Sequence, residues 1–210
     1  MKKRTTPSNS PPRPYRMGQR ADAARETGER ILAEALNLFT SRPFDEVSLV
    51  DVATAAGVTV QTVLRRCESK EALIAAAFAT AIDAVRTERG EITVGDIPAA
   101  VANLVAHYEA WGDRVLRLLA QEERVPALRQ VTDRGRQLHY DWVDRVFAPQ
   151  LARFAGNART ARRARLIACT DVYVWKVLRR DLGLSREEVA DALQAFITDI
   201  LIQTTIGGPS

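Results

Sequence analysis

Four polar side chains stand close together in the chain: Gln61, Thr62, Arg65 and Arg66. Gln and Arg can each form paired hydrogen bonds with a base edge, and Thr and Arg can hold phosphate oxygens. Carried on one short helix, such a set has the chemistry needed to read the major groove of DNA. Ser48, Thr59 and Lys70, just outside the quartet, add two hydroxyls and a cation for backbone phosphates.

The flanking residues build the elements that must present this set. Ser48 followed by Asp51 has capping-box spacing for a helix whose apolar face is Leu49, Val52, Ala53 and Ala56. Gly57 supplies the turn, where a positive φ is expected. Thr59 is placed to cap the next helix. Its Val63 faces inward, leaving Gln61, Thr62, Arg65 and Arg66 outward, and Ser69 caps a third helix. Two short helices around a glycine turn form a helix–turn–helix. The same geometry also occurs as plain core structure, so the residues alone leave both readings open.

Residues 30–75 resemble the DNA-binding domain of the TetR family of transcription regulators. The match runs through Ile31, Leu32, Ala35, Leu38 and Phe39, then Phe44, Val47, Ser48, Val52 and Ala53. It continues through Ala56-Gly57-Val58, Thr62, Ser69-Lys70-Glu71 and Leu73. The resemblance implies a repressor whose DNA contacts come from Ser48, Thr59, Gln61, Thr62, Arg65, Arg66 and Lys70. The chain departs from the family pattern at Leu64, where a phosphate-touching Tyr is usual, and at Arg66-Cys67, where His-Phe is usual. The tyrosine contact therefore does not carry over, and Arg65 or Arg66 stands where a replacement is needed.

The rest of the chain reads as helix almost throughout. The expected fold is all-α: an N-terminal three-helix unit over residues 20–67, then a helical ligand-binding and dimerisation bundle over residues 68–206, about nine helices in all. Residues 1–19 carry four prolines and five cations and are expected to be a disordered basic tail, either solvated or reaching a minor groove. A helix over 21–41 ends at Arg42-Pro43, and one from Ser69 to about Arg89 links the halves. Helical stripes follow over 97–111, over a shorter segment between Gly112 and Pro126, and over Leu128 to Val146. A helix from about 158 to 182 closes at Gly183, and a final one is capped by Ser185 and Glu188.

The helix over 158–182 is apolar nearly all round, and the last helix offers alanines outside its main stripe. Val174, Ala192 and Ala195 are therefore expected at the interface of a homodimer, which suits a palindromic operator. A large monomeric core is the alternative. His107 with Trp111, His139 with Trp142, and Trp175 gather aromatic and polar groups on three of these helices, the pattern of an apolar small-molecule site. Each of them also has an ordinary role as core.

With 210 residues, 46% of them hydrophobic, the chain can bury a sizeable core, and its net charge of +4 is compatible with nucleic acid without proving it. No apolar run reaches membrane-span length and no apolar stretch follows the basic start, which points to a cytoplasmic protein. Cys67 and Cys169 fit reduced thiols better than a disulfide framework. No nucleophile elbow, phosphate loop or metal-spaced cluster stands out, so no cofactor and no enzymatic activity are expected. A DNA-binding regulator answering to a small molecule is the first reading. One controlled by a protein partner or by its own level is the second. A closed cavity between the helices bearing His107, His139 and Trp175 would separate them.

Overall fold

The computed structural model describes residues 14–90 and 92–202, and every regular element among them is helical. The head consists of α1 (Pro14–Ser41), α2 (Leu49–Ala55) and α3 (Val60–Arg66). The expected basic tail lies outside the described residues over 1–13, while 14–19 already belong to α1.

The local signals set the elements of the head. Ser48 and Asp51 form the reciprocal capping box: Asp51 N donates to Ser48 Oγ at 3.1 Å and Ser48 N donates to Asp51 Oδ2 at 2.7 Å. The Ser48 hydroxyl, and after it the Ser48 amide, both donating to Oδ2, hold the Asp51 carboxyl below its usual range. Gly57 has φ +64°, which a residue with a β-carbon adopts at a cost. Arg30 of α1 reaches over and donates to the Ala56 carbonyl at 2.9 Å.

Beyond the head, α4 (Lys70–Gly90) packs on α1 at one end and on α6 (Pro126–Val146) along its length. Next come α5 (Ile97–Leu119), α7 (Ala148–Leu151), α8 (Gly156–Cys169), α9 (Val172–Lys176) and α10 (Arg186–Ile202). The described residues thus form ten helices rather than about nine, with two departures from the expected boundaries.

First, Gly112 does not end a helix: α5 runs through it to Leu119. Second, the long helix expected over 158–182 is broken. α8 stops at Cys169, and Asp171 accepts from Tyr173 N at 2.9 Å to start α9 afresh. α9 runs on into a π-helical turn, Val177–Asp181, closed by Gly183 at φ +71°. An apolar run hides such a break, because an aspartate cap is a local polar event inside a hydrophobic pattern. Ser185 and Glu188 cap α10 as their spacing predicts.

There are two apolar cores. The head's core joins Ile31, Phe39, Val52 and Val63 to Leu73 and Phe78 of α4. It is completed by Leu118 of α5, Val125, and Leu128 and Val131 of α6. The second core centres on Leu104, Val143, Leu166, Trp175, Leu193 and Ile197, all 0–1% exposed. No helix of the described residues is long and apolar enough to cross a membrane.

Candidate DNA-reading head and ligand cavity

α3 is a seven-residue helix held by one buried anchor, Val63, at 0% exposure. Its cap Thr59 accepts from Thr62 N at 3.2 Å, and the Thr59 and Thr62 hydroxyls lie 2.9 Å apart. Gln61, Leu64, Arg65 and Arg66 are exposed. Gln61 and Arg65 have no hydrogen bond or ion pair within the described protein, so both are available to a base edge.

The remaining candidates are more committed. The Arg66 guanidinium lies over α1, where a β-carbon at Gly28 would stand 3.1 Å from its Cζ. The Ser48 hydroxyl gives its single proton to Asp51 Oδ2 at 2.7 Å, leaving none for a phosphate oxygen. Lys70 donates to the Phe44 carbonyl, and its ammonium sits 4.0 Å from the centre of the Phe44 ring. Ser48 and Lys70, expected at phosphates, thus each have an internal partner within the head.

The head is also tied to the end of α5. Gln121 Oε1 accepts from Phe44 N at 2.9 Å, Arg117 donates to the Thr40 carbonyl, and Arg124 pairs with Asp45 at 3.3 Å. Arg117 is thus committed to the α1 terminus.

Between α4, α5, α6 and the start of α9 lies a cavity of about 170 Å³. Of the five residues expected at a ligand site, His107, Trp111 and His139 line it, and Trp142 and Trp175 do not. Trp142 is buried behind His139, stacked on it at 5.9 Å, with the Arg89 guanidinium 4.4 Å from its ring. Trp175 sits beside the cavity behind Tyr108, where its ring lies against Gly112 and its indole N–H donates to Glu109 at 3.1 Å. Both are large and apolar at helical spacing, and spacing alone does not separate a wall from the core behind it.

Both histidines are more than nine-tenths buried. Burial, with the Arg89 charge second, pushes His107 down to about 3 and His139 down to about 4, so both are neutral at pH 7. His139 Nε2 faces two acceptors, the Ile167 carbonyl at 3.3 Å and Thr170 Oγ1 at 3.2 Å. Thr170 gives its own proton to Leu166 O at 2.6 Å, so Nε2 is the protonated nitrogen.

Sequence reasoning passed over Arg89 and Arg136, which also line the cavity. The i, i+4 row Ala77, Ala81, Val85 along α4 leads straight to Arg89, and that extension would have found it. Arg136 is neutralised by Glu122 at 2.5 Å and Asp133 at 2.8 Å.

On the outside, Tyr173, Val177 and Phe196 are 53%, 46% and 42% exposed. Ala195 is exposed with them, Ala192 is half-buried, and Val174 is turned partly inward. The outward apolar residues of the α9 segment are thus Tyr173 and Val177 rather than Val174. The break at Asp171 shifts the helical phase that a continuous helix would have imposed.

Residues 31–77 match the family described as bacterial regulatory proteins, tetR family. The N-terminal head is a tetR-family helix–turn–helix domain. The fold extends the likeness over the described chain. A transcriptional regulator from Rhodococcus sp. Rha1 superposes with a TM-score of 0.65 at 20% identity, covering 83% of this chain and 95% of that one. A tetR-family transcriptional regulator from Streptomyces coelicolor gives 0.62 at 20% identity, covering 82% and 80%. AibR, solved in complex with isovaleryl coenzyme A and operator DNA, gives 0.59 at 16% identity, covering 81% and 97%. No curated protein sequence matches the chain. The chain is therefore similar in fold to solved transcription regulators over about four-fifths of its length.

Proposed function

We propose that the protein is a cytoplasmic, ligand-responsive repressor that binds a palindromic operator as a homodimer and is released by a small apolar effector. The observation that carries this reading is the course of α4. Its first turns complete the head's core through Leu73, Ile74 and Phe78, and its later turns form a cavity wall through Ala81, Ile82 and Val85. One rigid element thus meets both the reading helix's support and the ligand space.

In a dimer, a tilt of α4 changes the separation of the two α3 helices, which must suit the 34–36 Å spacing of successive major grooves. A ligand acts only through different affinity for the two tilts, and about 1.4 kcal/mol of such coupling changes DNA affinity tenfold. The exposed Tyr173, Val177, Ala195 and Phe196 offer an apolar face for the second copy. A relative in fold that holds both isovaleryl coenzyme A and operator DNA supports the pairing of the two activities. The cavity favours this reading over control by a protein partner alone.

The test is to select bound sequences from random duplex DNA, then titrate the selected operator with candidate ligands. Selection of a palindrome and its release by a compound is the expected result. Failure to enrich any sequence would overturn the reading.

A further inference from the structure

The cavity walls define what can enter, on the reading that the protein answers to a ligand. A void of about 150 Å³ holds one benzene ring, and this one measures about 170 Å³. Most of the surface is apolar, with Phe78, Ile82, Val85, Val115 and Leu119 among the lining residues. The wall carries charges of both signs and so presents no single-signed field to a ligand. Arg89 would repel a cation and Asp171 an anion, while the third charged residue, Arg136, is already held by Glu122 and Asp133. Burying a net charge in so apolar a space costs its hydration.

Two wall histidines keep a buried Nδ1 without a partner, and of the two only His139 has its other nitrogen hydrogen-bonded within the described protein. His107 is 8% exposed, lines the cavity, and makes no hydrogen bond within the described protein. Its Nδ1 is sealed and unsatisfied, while Nε2 is not among the sealed atoms. In a side chain so deeply buried on the cavity wall, Nε2 is the nitrogen a ligand can reach. A neutral imidazole offers either a donor or an acceptor there, according to its tautomer. A hydroxyl group, donor and acceptor at once, satisfies both.

We propose that the cavity selects a neutral ring of benzene size carrying one hydroxyl group, a phenol in the simplest case, with the hydroxyl bonded to His107. A ring without the hydroxyl leaves His107 unsatisfied, and a carboxylate of the same size would give up its hydration on a mostly apolar wall.

Calorimetric titration of the full chain at pH 7 with phenol, toluene and benzoate tests this directly, because the three differ in one substituent. Phenol is expected to bind about tenfold or more tighter than toluene, the cost of a buried group left unpaired, and tighter than benzoate. His107→Leu should erase the preference for phenol over toluene, and His107→Gln should retain most of it. Equal binding of phenol and toluene, tightest binding of benzoate, or no binding of any of the three would overturn the proposal. Repeating the titration with operator present separates the two readings. Phenol that binds selectively but leaves operator affinity unchanged would refute the ligand-responsive repressor and leave the selection by His107 standing.

Discussion

The Trp175 ring lies directly on the backbone of Gly112: a β-carbon at position 112 would stand 2.3 Å from Trp175 Cζ3 and 2.6 Å from Cη2. The glycine is a notch in the middle of α5, and α9 crosses there. Trp175 also packs 5.9 Å from Tyr108 and donates to Glu109, which in turn accepts from Arg179 at 3.0 Å. The crossing is thus fixed by packing and by a charged hydrogen-bond pair.

Gly112→Ala is therefore expected to destabilise the protein. Helix propensity alone would favour alanine by about 0.8–1.0 kcal/mol. Overpacking a tight core typically costs about 1–3 kcal/mol, and here the neighbour is a fully buried, rigid indole, so the clash should win. Urea unfolding followed by tryptophan emission measures both effects. A midpoint at or above the wild-type value would show that α5 and α9 separate easily.

Gln61→Ala and Arg65→Ala should each weaken operator binding by about 1–3 kcal/mol and blur preference at one base pair. Lys70→Ala should behave differently, because its ammonium is held by the Phe44 carbonyl and ring. The expected result is a lower thermal midpoint with the salt dependence of DNA binding unchanged. A salt slope reduced by about one would return Lys70 to the phosphates.

The two buried histidines predict a stability that depends on pH. In the folded protein they titrate at about 3 and about 4, below the ordinary histidine value of 6.5. Between these limits the unfolded chain binds more protons than the folded one, so stability falls as pH drops from about 6.5 towards 4. The slope is at most about 1.4 kcal/mol per pH unit for each histidine. Denaturant midpoints from pH 8 to pH 4 should be flat at first and then decline. The decline should be shallower in His139→Gln if that variant folds, and in His107→Gln.

If α9 and α10 face a second copy, Phe196→Glu or Ala195→Glu should give a folded monomer, since both positions are exposed in the single chain. Sedimentation at micromolar concentration and circular dichroism read the two properties. A wild-type monomer would remove the dimer, and with it the symmetric operator.

The parts of this fold that were legible in the sequence are those decided within one turn of chain. Ser48 with Asp51, Thr59 before Thr62, Ser69, and Ser185 with Glu188 each act on neighbours three residues away, and Gly57 and Gly183 supply their turns by their own positive φ. Where a partner comes from far along the chain, sequence reading fails. Gly112 looks like a terminator until Trp175, more than sixty residues later, is seen to fill it. Lys70 looks like a free cation until Phe44 is placed under it. The cavity was half legible for the same reason. Helical spacing groups His107 with Trp111 and His139 with Trp142, but only the packing of α4 decides that Trp142 lies behind the wall.

The head's core carries a consequence for protein engineering. Leu118, Val125, Leu128 and Val131, all from the second half, complete the packing around Ile31, Phe39 and Phe78, while Gln121 and Arg117 take up the backbone at Phe44 and Thr40. The reading head is therefore not a cassette. Cut after residue 67, it would leave an apolar face open to water and three backbone groups without their side-chain partners, since Lys70 at the Phe44 carbonyl would go too. A chimera that grafts it onto another effector domain would have to transplant the docking ends of α5 and α6 as well, or specificity would move without the structure that holds it in place.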